Sequence, residues 1–465
     1  MPLPFKKLIL IPLMTGYFIP ALAEIEKRLI THGKARELKE SFKSFDWSRF
    51  NGPLDNATTY EGPLSLNFDD NSLKKIWESS KGEGYASPAV TKDRLILFHL
   101  DAGQEIIEAL NPETGHPIWS YSYPANYRDR YGYSNGPRAS PVIWKNRVFA
   151  HGVTAWLTCL DLITGDLIWK RDLKKEFKIP DYFFGKGSNP IVVHDTLLLN
   201  TGGEKGESVV GFDLGTGETK WITRDKWGAS YSSPFRTFMH GREVCLFLTG
   251  GESRPPTGGL LVVDPTNGKK LSRFSWRSSN YESANASPPI PISNNQVFIS
   301  ECYEKGAALI SFDSEFKTKV IWENPALNIH WMTPVLVGKY IYGVSGRHQR
   351  GAEVFCVEAQ TGKVKWKEKV SWVQTVMGKT LDLELFRGSL LKTKDHFIGL
   401  SELGSLVVMD LSPEGWKIHG TKQLFFAPGT WTLPAISHGL LFIMQNETDR
   451  MSGKKPRIIC YDLRP

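Results

Sequence analysis

One short phrase recurs along this chain at a fixed internal spacing, and no other feature limits the available folds so strongly. Its clear copies are Asn111, Thr114, Gly115, Trp119; Asp161, Thr164, Gly165, Trp169; Asp213, Thr216, Gly217, Trp221; and Glu358, Thr361, Gly362, Trp366. In all four, the acidic or Asn residue precedes Trp by eight positions. A hairpin accounts for the spacing. The Asp or Asn side chain caps a turn, Thr supports it, Gly accepts positive φ, and Trp returns on the next strand to pack on its neighbours. Weaker copies follow Asp264, Asp313 and Asp410, and an eighth, Cys460-Tyr461-Asp462, meets the C-terminus.

The strands that open each unit give an independent count. Ala86-Ser87-Pro88, Ala139-Ser140-Pro141, Ser188-Asn189-Pro190, Ser232-Ser233-Pro234, Ala286-Ser287-Pro288, Met332-Thr333-Pro334, Gly388-Ser389-Leu390 and Thr432-Leu433-Pro434 also number eight. The last unit runs out at Asp462 before its Trp strand, whereas the N-terminal region holds an orphan one, Lys75-Ile76-Trp77-Glu78. Pairing the two closes a ring and removes an open sheet edge. The expected fold is therefore all-β: an eight-bladed β-propeller of four-stranded blades over residues 46–465, closed by N- and C-terminal strands. Trp77, Trp119, Trp169, Trp221 and Trp366 are expected to anchor blade to blade. With 42 Gly, 28 Pro and 12% aromatic residues, the composition suits short strands and turns.

Residues 1–23 read as a signal peptide: Lys6-Lys7, an apolar run from Leu8 to Leu22, and a small-x-small site ending at Ala23. The run is too short to span a bilayer and is broken by Pro12, Gly16 and Pro20, so a periplasmic or secreted protein without a membrane span is expected. Residues 24–45 carry apolar residues at helical spacing and predict a short exposed helix. The formal charge of +8 is spread among interleaved acidic residues, which argues against a nucleic-acid face. Three of the five cysteines, Cys159, Cys356 and Cys460, stand two residues before an acidic one, at a single repeat position. Equivalent positions in different repeats stay apart, so buried thiols are expected, not a disulfide framework.

The repeat resembles the tryptophan-docking motif of quinoprotein-type propellers, shared by pyrroloquinoline-quinone dehydrogenases and an outer-membrane assembly propeller lipoprotein. Trp47-Ser48-Arg49-Phe50-Asn51-Gly52-Pro53 and Gly136-Pro137-Arg138-Ala139-Ser140-Pro141 are similar to motifs of exported PQQ-like propellers of planctomycete type. The dehydrogenase resemblance implies a quinone with calcium, beside adjacent cysteines and a Glu, Asn and Asp set. No two cysteines are adjacent here and no such triad maps onto the chain. The expected function is thus a non-catalytic binding or scaffold module for a protein, glycan or small ligand, without cofactor or metal, acting as a monomer. The alternative is a pyrroloquinoline-quinone-dependent dehydrogenase of alcohols or sugars.

No hydrolase elbow, zinc-protease helix or Cys-x-x-Cys pair occurs. Asp69-Asp70-Asn71 is oxygen-rich but lacks the rest of a calcium loop. One constellation comes from aligning repeats. The residue three before each strand-opening position should stand at the mouth of the central channel: Tyr85, Arg138, Gly187, Tyr231, Asn285, Trp331, Arg387 and Trp431, with His330 beside them. Aromatic faces and guanidinium forks suit sugar-like, planar or anionic ligands; packing between blades is the competing role. Two arginines at one mouth also require water, a carboxylate or a bound anion to offset their repulsion.

Overall fold

The computed structural model describes residues 27–68 and 73–465. The expected signal peptide and Asp69-Asp70-Asn71 lie outside these residues. Antiparallel four-stranded blades follow one another as blade 1, 89–124; blade 2, 142–172; blade 3, 191–224; blade 4, 235–275; blade 5, 290–324; blade 6, 335–368; and blade 7, 389–423. Blade 8 takes three strands from 435–462 and its fourth, Lys74–Ser80, from the N-terminal region. Lys74–Ser80 pairs antiparallel with Arg457–Asp462, placing Trp77 opposite Cys460. The protein is an eight-bladed β-propeller closed by strands from both ends of the chain. First strands of successive blades lie side by side at the centre, as Ala89–Val90 does against Val142–Trp144 and Ala435–Ser437.

The helix expected over 24–45 is not what the described residues form. Only Lys27 and Arg28 are helical; Leu29–Thr31 then adds a fifth strand to blade 8, pairing with Trp77–Ser79. The open edge of Lys74–Ser80 offers backbone donors and acceptors, and pairing there satisfies more groups than an isolated short helix would. Beyond it, Arg36 donates from its backbone N–H and Nε to Asp462 at 2.9 and 2.8 Å. A second departure is the hairpin Ser371–Val376 and Lys379–Glu384, inserted between blades 6 and 7.

Register explains the recurrent cysteine. Cys159 faces Trp169, Cys356 faces Trp366 and Cys460 faces Trp77, while Ala109 faces Trp119 and Gly211 faces Trp221. The position wants a small side chain under an indole, and all five cysteines are buried and free. Each indole then reaches the next blade. Trp77 Nε1 donates to Pro112 O at 2.9 Å, Trp119 to Leu162 O and Trp169 to Leu214 O at 3.0 Å, Trp322 to Ala359 O at 3.0 Å, and Trp366 to Ser412 O at 2.7 Å. The turn glycine is the seat: a Cβ on Gly165, at φ +79°, would lie 2.6 Å from the Trp119 ring. Trp221 rests on Gly268 but is half-buried, and its Nε1 has no partner.

Two seams are built differently. Ser272 of blade 4 stands where the indole would, and its hydroxyl donates to Phe316 O at 2.7 Å. Phe316, buried and at φ +63°, fills the space from the other side. In blade 7 the position holds Gly420, opposite Val408, with Phe68 packed beside it. Blade 8 has no turn at this place because its chain is interrupted there, so an indole would have no seat.

Residues 46–60 cross the channel and close one end. Val90 N–H donates to Trp47 O and Ile143 N–H to Ser48 O, both at 2.8 Å. On the far side Lys392 N–H donates to Ala57 O at 2.9 Å, and Thr333 Oγ1 to Asn51 Oδ1 at 2.9 Å. Trp47 is fully buried, folded onto Gly52, with its Nε1 donating to Phe50 O at 3.2 Å. Glu61 anchors the segment by accepting from Phe45, His438 and Gly439 N–H groups.

Candidate functional site

The inner strands start at the opposite end of the channel, and there the residues before them surround a cup of about 470 Å³. Tyr85, Arg138, Gly187, Tyr231, His330, Trp331, Arg387 and Trp431 all line it. Asn285 does not. It is fully buried, and its Nδ2 donates to Thr249 O at 2.7 Å while its own carbonyl accepts from Tyr231 N–H at 2.8 Å. Phe50 of the crossing segment contributes to the lining from below.

Sequence alignment of the repeats missed the other half of the wall, which comes from connections between strands. Tyr131 and Tyr133 come from the long link between blades 1 and 2, Phe183 and Phe184 from that between blades 2 and 3, Glu282 from that between blades 4 and 5. Tyr303 and Arg347 sit on loops within blades 5 and 6. The available signal was aromatic density in the links, as in Tyr127-Arg128-Asp129-Arg130-Tyr131-Gly132-Tyr133, where no blade core needs filling. Tyr131 and Tyr133 remain 54% and 43% exposed, large apolar faces held at the entrance.

The rings form a connected wall. Trp331 and Trp431 stand 4.7 Å apart between centroids, Trp431 and Tyr133 5.7 Å, Tyr133 and Phe184 5.7 Å, and Phe184 and Tyr231 5.6 Å. The Arg387 guanidinium lies over both indoles, 4.8 Å from Trp331 and 5.1 Å from Trp431.

The repulsion expected between the two arginines is offset by the protein's own carboxylates. Arg387 forms a fork with Glu402, Nε to Oε2 at 3.0 Å, and Glu402 also accepts from Trp431 Nε1 at 2.9 Å. Arg138 Nη2 donates to Asp129 Oδ2 at 2.9 Å. Asp129 holds its own link in shape, accepting from Tyr131 and Tyr133 N–H at 2.9 and 3.1 Å. Arg347 pairs with Glu282 at 2.8 Å. The cup therefore carries three cations, each matched by an acid.

Burial favours the neutral forms of His330 and of three of the cup's tyrosines. Burial, then the charges of Arg387, Arg347 and His348, push His330 down to about 3, so the imidazole is neutral at physiological pH. Its Nε2 is 3.0 Å from the Tyr303 hydroxyl. Burial raises Tyr85 to about 12, and raises Tyr231 and Tyr303 as well.

The sequence family described as outer membrane protein assembly factor BamB matches residues 103–368, more than half of the chain. BamB from Moraxella catarrhalis is similar in structure, with 12% identity over 84% of this chain and 97% of that one and a TM-score of 0.52. Quinohemoprotein alcohol dehydrogenase from Comamonas testosteroni gives 14% identity over 90% and 80% of the two chains, with a TM-score of 0.60. A europium-containing methanol dehydrogenase gives 12% identity over 96% and 100%, with a TM-score of 0.56. No curated protein sequence matches the chain. At these identities the structural likeness is one of fold. Among the described residues no helix is long and apolar enough to cross a membrane. The repeat, its eight-fold closure and the family match together establish that the chain belongs to the PQQ-like β-propeller family described as outer membrane protein assembly factor BamB.

Proposed function

We propose that the protein is an exported, non-catalytic binding module that holds a neutral, sugar-like ligand in the aromatic cup. The observation that carries this reading is the cup's chemistry: ten aromatic side chains around about 470 Å³, with every arginine already paired to an acid. Flat apolar faces stack on sugar rings, and the paired guanidinium and carboxylate groups supply hydrogen bonds without demanding a net ligand charge. Export rests on the reading of residues 1–23. The assembly-factor description of the family is in keeping with a binding role, and a protein partner presenting a ring or loop to the cup is the competing outcome.

The quinone alternative fits the lining poorly. A calcium-bound quinone needs converging oxygen donors, yet the one carboxylate in the lining, Glu282, is in an ion pair. The Asn189 amide accepts from Ser140 N–H and donates to Ser233 Oγ.

Tryptophan fluorescence provides the test. Neutral oligosaccharides should cause a saturable change in the wild type that is lost in Trp331→Ala, and acidic oligosaccharides should bind no better. Silence with every saccharide overturns the proposal; saturation by an aromatic peptide alone assigns the cup to a protein partner. Dye-linked alcohol or sugar oxidation after adding pyrroloquinoline quinone and Ca²⁺ would restore the enzyme reading.

A further inference from the structure

Blade 7 brings two histidines from neighbouring strands onto its repeat acid, Asp410. His396 lies immediately before the second strand, Phe397–Leu400. Asp410 is on the third strand, Ser405–Ser412, and His419 on the fourth, Gly415–Gln423. Asp410 Oδ1 is 2.7 Å from His396 Nδ1, and Oδ2 is 2.6 Å from His419 Nε2. The two imidazole centroids stand 4.9 Å apart. One ligand atom from each residue lies within 4.8 Å of the other two, and all three side chains are partly open to solvent.

The other blades show what is unusual here. In blades 2 and 3 the equivalent acid is spent on its turn: Asp161 accepts from Ile163 and Thr164 N–H, and Asp213 from Gly215 and Thr216 N–H. In blade 7 the Ser412 hydroxyl takes over turn capping by accepting from Glu414 N–H, and the Asp410 carboxylate turns to the two histidines. His419 occupies the bulge where the fourth strand slips register. The corresponding residues are Ile118, Ile168, Lys220 and Lys365 in blades 1, 2, 3 and 6. Neither fold nor turn therefore requires these histidines, and both point at one carboxylate.

We infer that His396, Asp410 and His419 form a binding site for a divalent transition-metal ion of the zinc class on the outer part of blade 7. Two imidazole nitrogens and one carboxylate oxygen are a borderline donor set that suits Zn²⁺, Co²⁺, Ni²⁺ or Cu²⁺ and disfavours Ca²⁺, which prefers an all-oxygen shell. Zinc–ligand lengths of about 2.0–2.2 Å set tetrahedral ligands about 3.3–3.6 Å apart, so the carboxylate and each imidazole, now hydrogen-bonded at 2.7 and 2.6 Å, must open slightly to admit the ion. That is within side-chain rotation, because the backbone positions are fixed by three adjacent strands. Coordination through His396 Nδ1 and His419 Nε2 requires the imidazole tautomer that carries its proton on the other ring nitrogen. Three protein ligands leave at least one position for water or for a ligand from a partner. The site does not touch the cup, and its presence or absence is independent of the saccharide reading.

The test uses the untagged protein, stripped with a chelator, and titrated with Zn²⁺ by calorimetry and with Co²⁺ by visible absorption. One equivalent of Zn²⁺ should bind with micromolar or tighter Kd, and Co²⁺ should give a d–d band characteristic of nitrogen and oxygen ligands. His419→Lys is the informative variant, since lysine already occupies the same bulge in blades 3 and 6 and preserves the fold. It should weaken Zn²⁺ at least tenfold and abolish the Co²⁺ band, as should His396→Ala with an unchanged metal-free melting temperature. Absence of stoichiometric binding, or equal binding by wild type and His419→Lys, overturns the assignment and leaves a hydrogen-bonded His–Asp–His cluster.

Discussion

The seam between blades 1 and 2 and the seam between blades 7 and 8 solve one packing problem in opposite ways. In the first, Trp119 crosses the gap, seats on Gly165 and donates to Leu162 O. In the second there is no indole and no turn; Gly420 leaves a space, and Phe68 from the N-terminal region enters it. The difference lies in chain connectivity. A tryptophan is useful only where the neighbouring blade completes its hairpin, and blade 8 hands that strand to Lys74–Ser80. Ring closure thus costs one indole seat, and an aromatic from the closing segment replaces it.

If this comparison is right, its two aromatics should be of similar weight. Trp119→Ala and Phe68→Ala should each destabilise by about 3–5 kcal/mol, measured by urea unfolding, since both are almost wholly buried. A loss below about 1 kcal/mol for Phe68→Ala would mean that the closing seam is held elsewhere. Trp221→Ala should cost less than Trp119→Ala, because that indole is half-buried and lacks its acceptor.

The seam between blades 4 and 5 sharpens the point. Ser272→Trp should clash with Phe316, and Phe316→Gly should leave a void, each costing roughly 1–3 kcal/mol. The double variant rebuilds the indole-on-glycine pairing, so its loss should be smaller than the sum by about 1–3 kcal/mol in a double-mutant cycle. Strict additivity would break the idea that the two sides compensate.

Acid separates the closing blade from the others. Glu78 is buried in the closure sheet; burial alone would raise it, but bonds from Lys454 and Lys75 and the charge of Arg457 hold it down to about 2. A carboxylate held below its unfolded value adds stability at all pH above about 4.5, and that contribution is lost as pH falls toward about 2. The melting-temperature gap between wild type and Glu78→Gln should close over this window, whereas the gap for Trp119→Ala should be flat.

The smallest effects fall on the glycines and discriminate most directly. Gly165→Ala places a Cβ 2.6 Å from the Trp119 ring at positive φ and should lower the melting temperature clearly. Gly420→Ala meets nothing closer than 3.7 Å at ordinary φ and should be neutral or stabilising by about 0.5 kcal/mol. Equal effects would erase the distinction between the seams.

Much of this architecture was readable from the residues because a repeat states its spacing many times. The Asp or Asn to Trp interval fixed the hairpin, the two counts fixed eight blades, and the orphan Lys75-Ile76-Trp77-Glu78 fixed the closure. Equivalence between repeats also brought out Tyr85, Arg138, Tyr231, Trp331, Arg387 and Trp431, because one repeat position must converge on one axis. Asn285 broke that rule: in a wide connection its polar amide finds a buried carbonyl, Thr249 O, and leaves the wall. Whatever depends on non-repeating segments was decided only in three dimensions. Tyr131, Phe184 and Glu282 join the cup from links of unequal length, and Asp129 and Glu402 neutralise arginines 9 and 15 residues away. Residues 46–60 carry no strand periodicity; part of their backbone bonds within the segment, as Gly52 N–H does to Arg49 O, and the carbonyls of Trp47, Ser48 and Ala57 accept from Val90, Ile143 and Lys392 of the inner strands. Local spacing is written in the chain because hairpins are local; the cup, its charge balance and the closed channel depend on contacts between distant segments, which no single interval records.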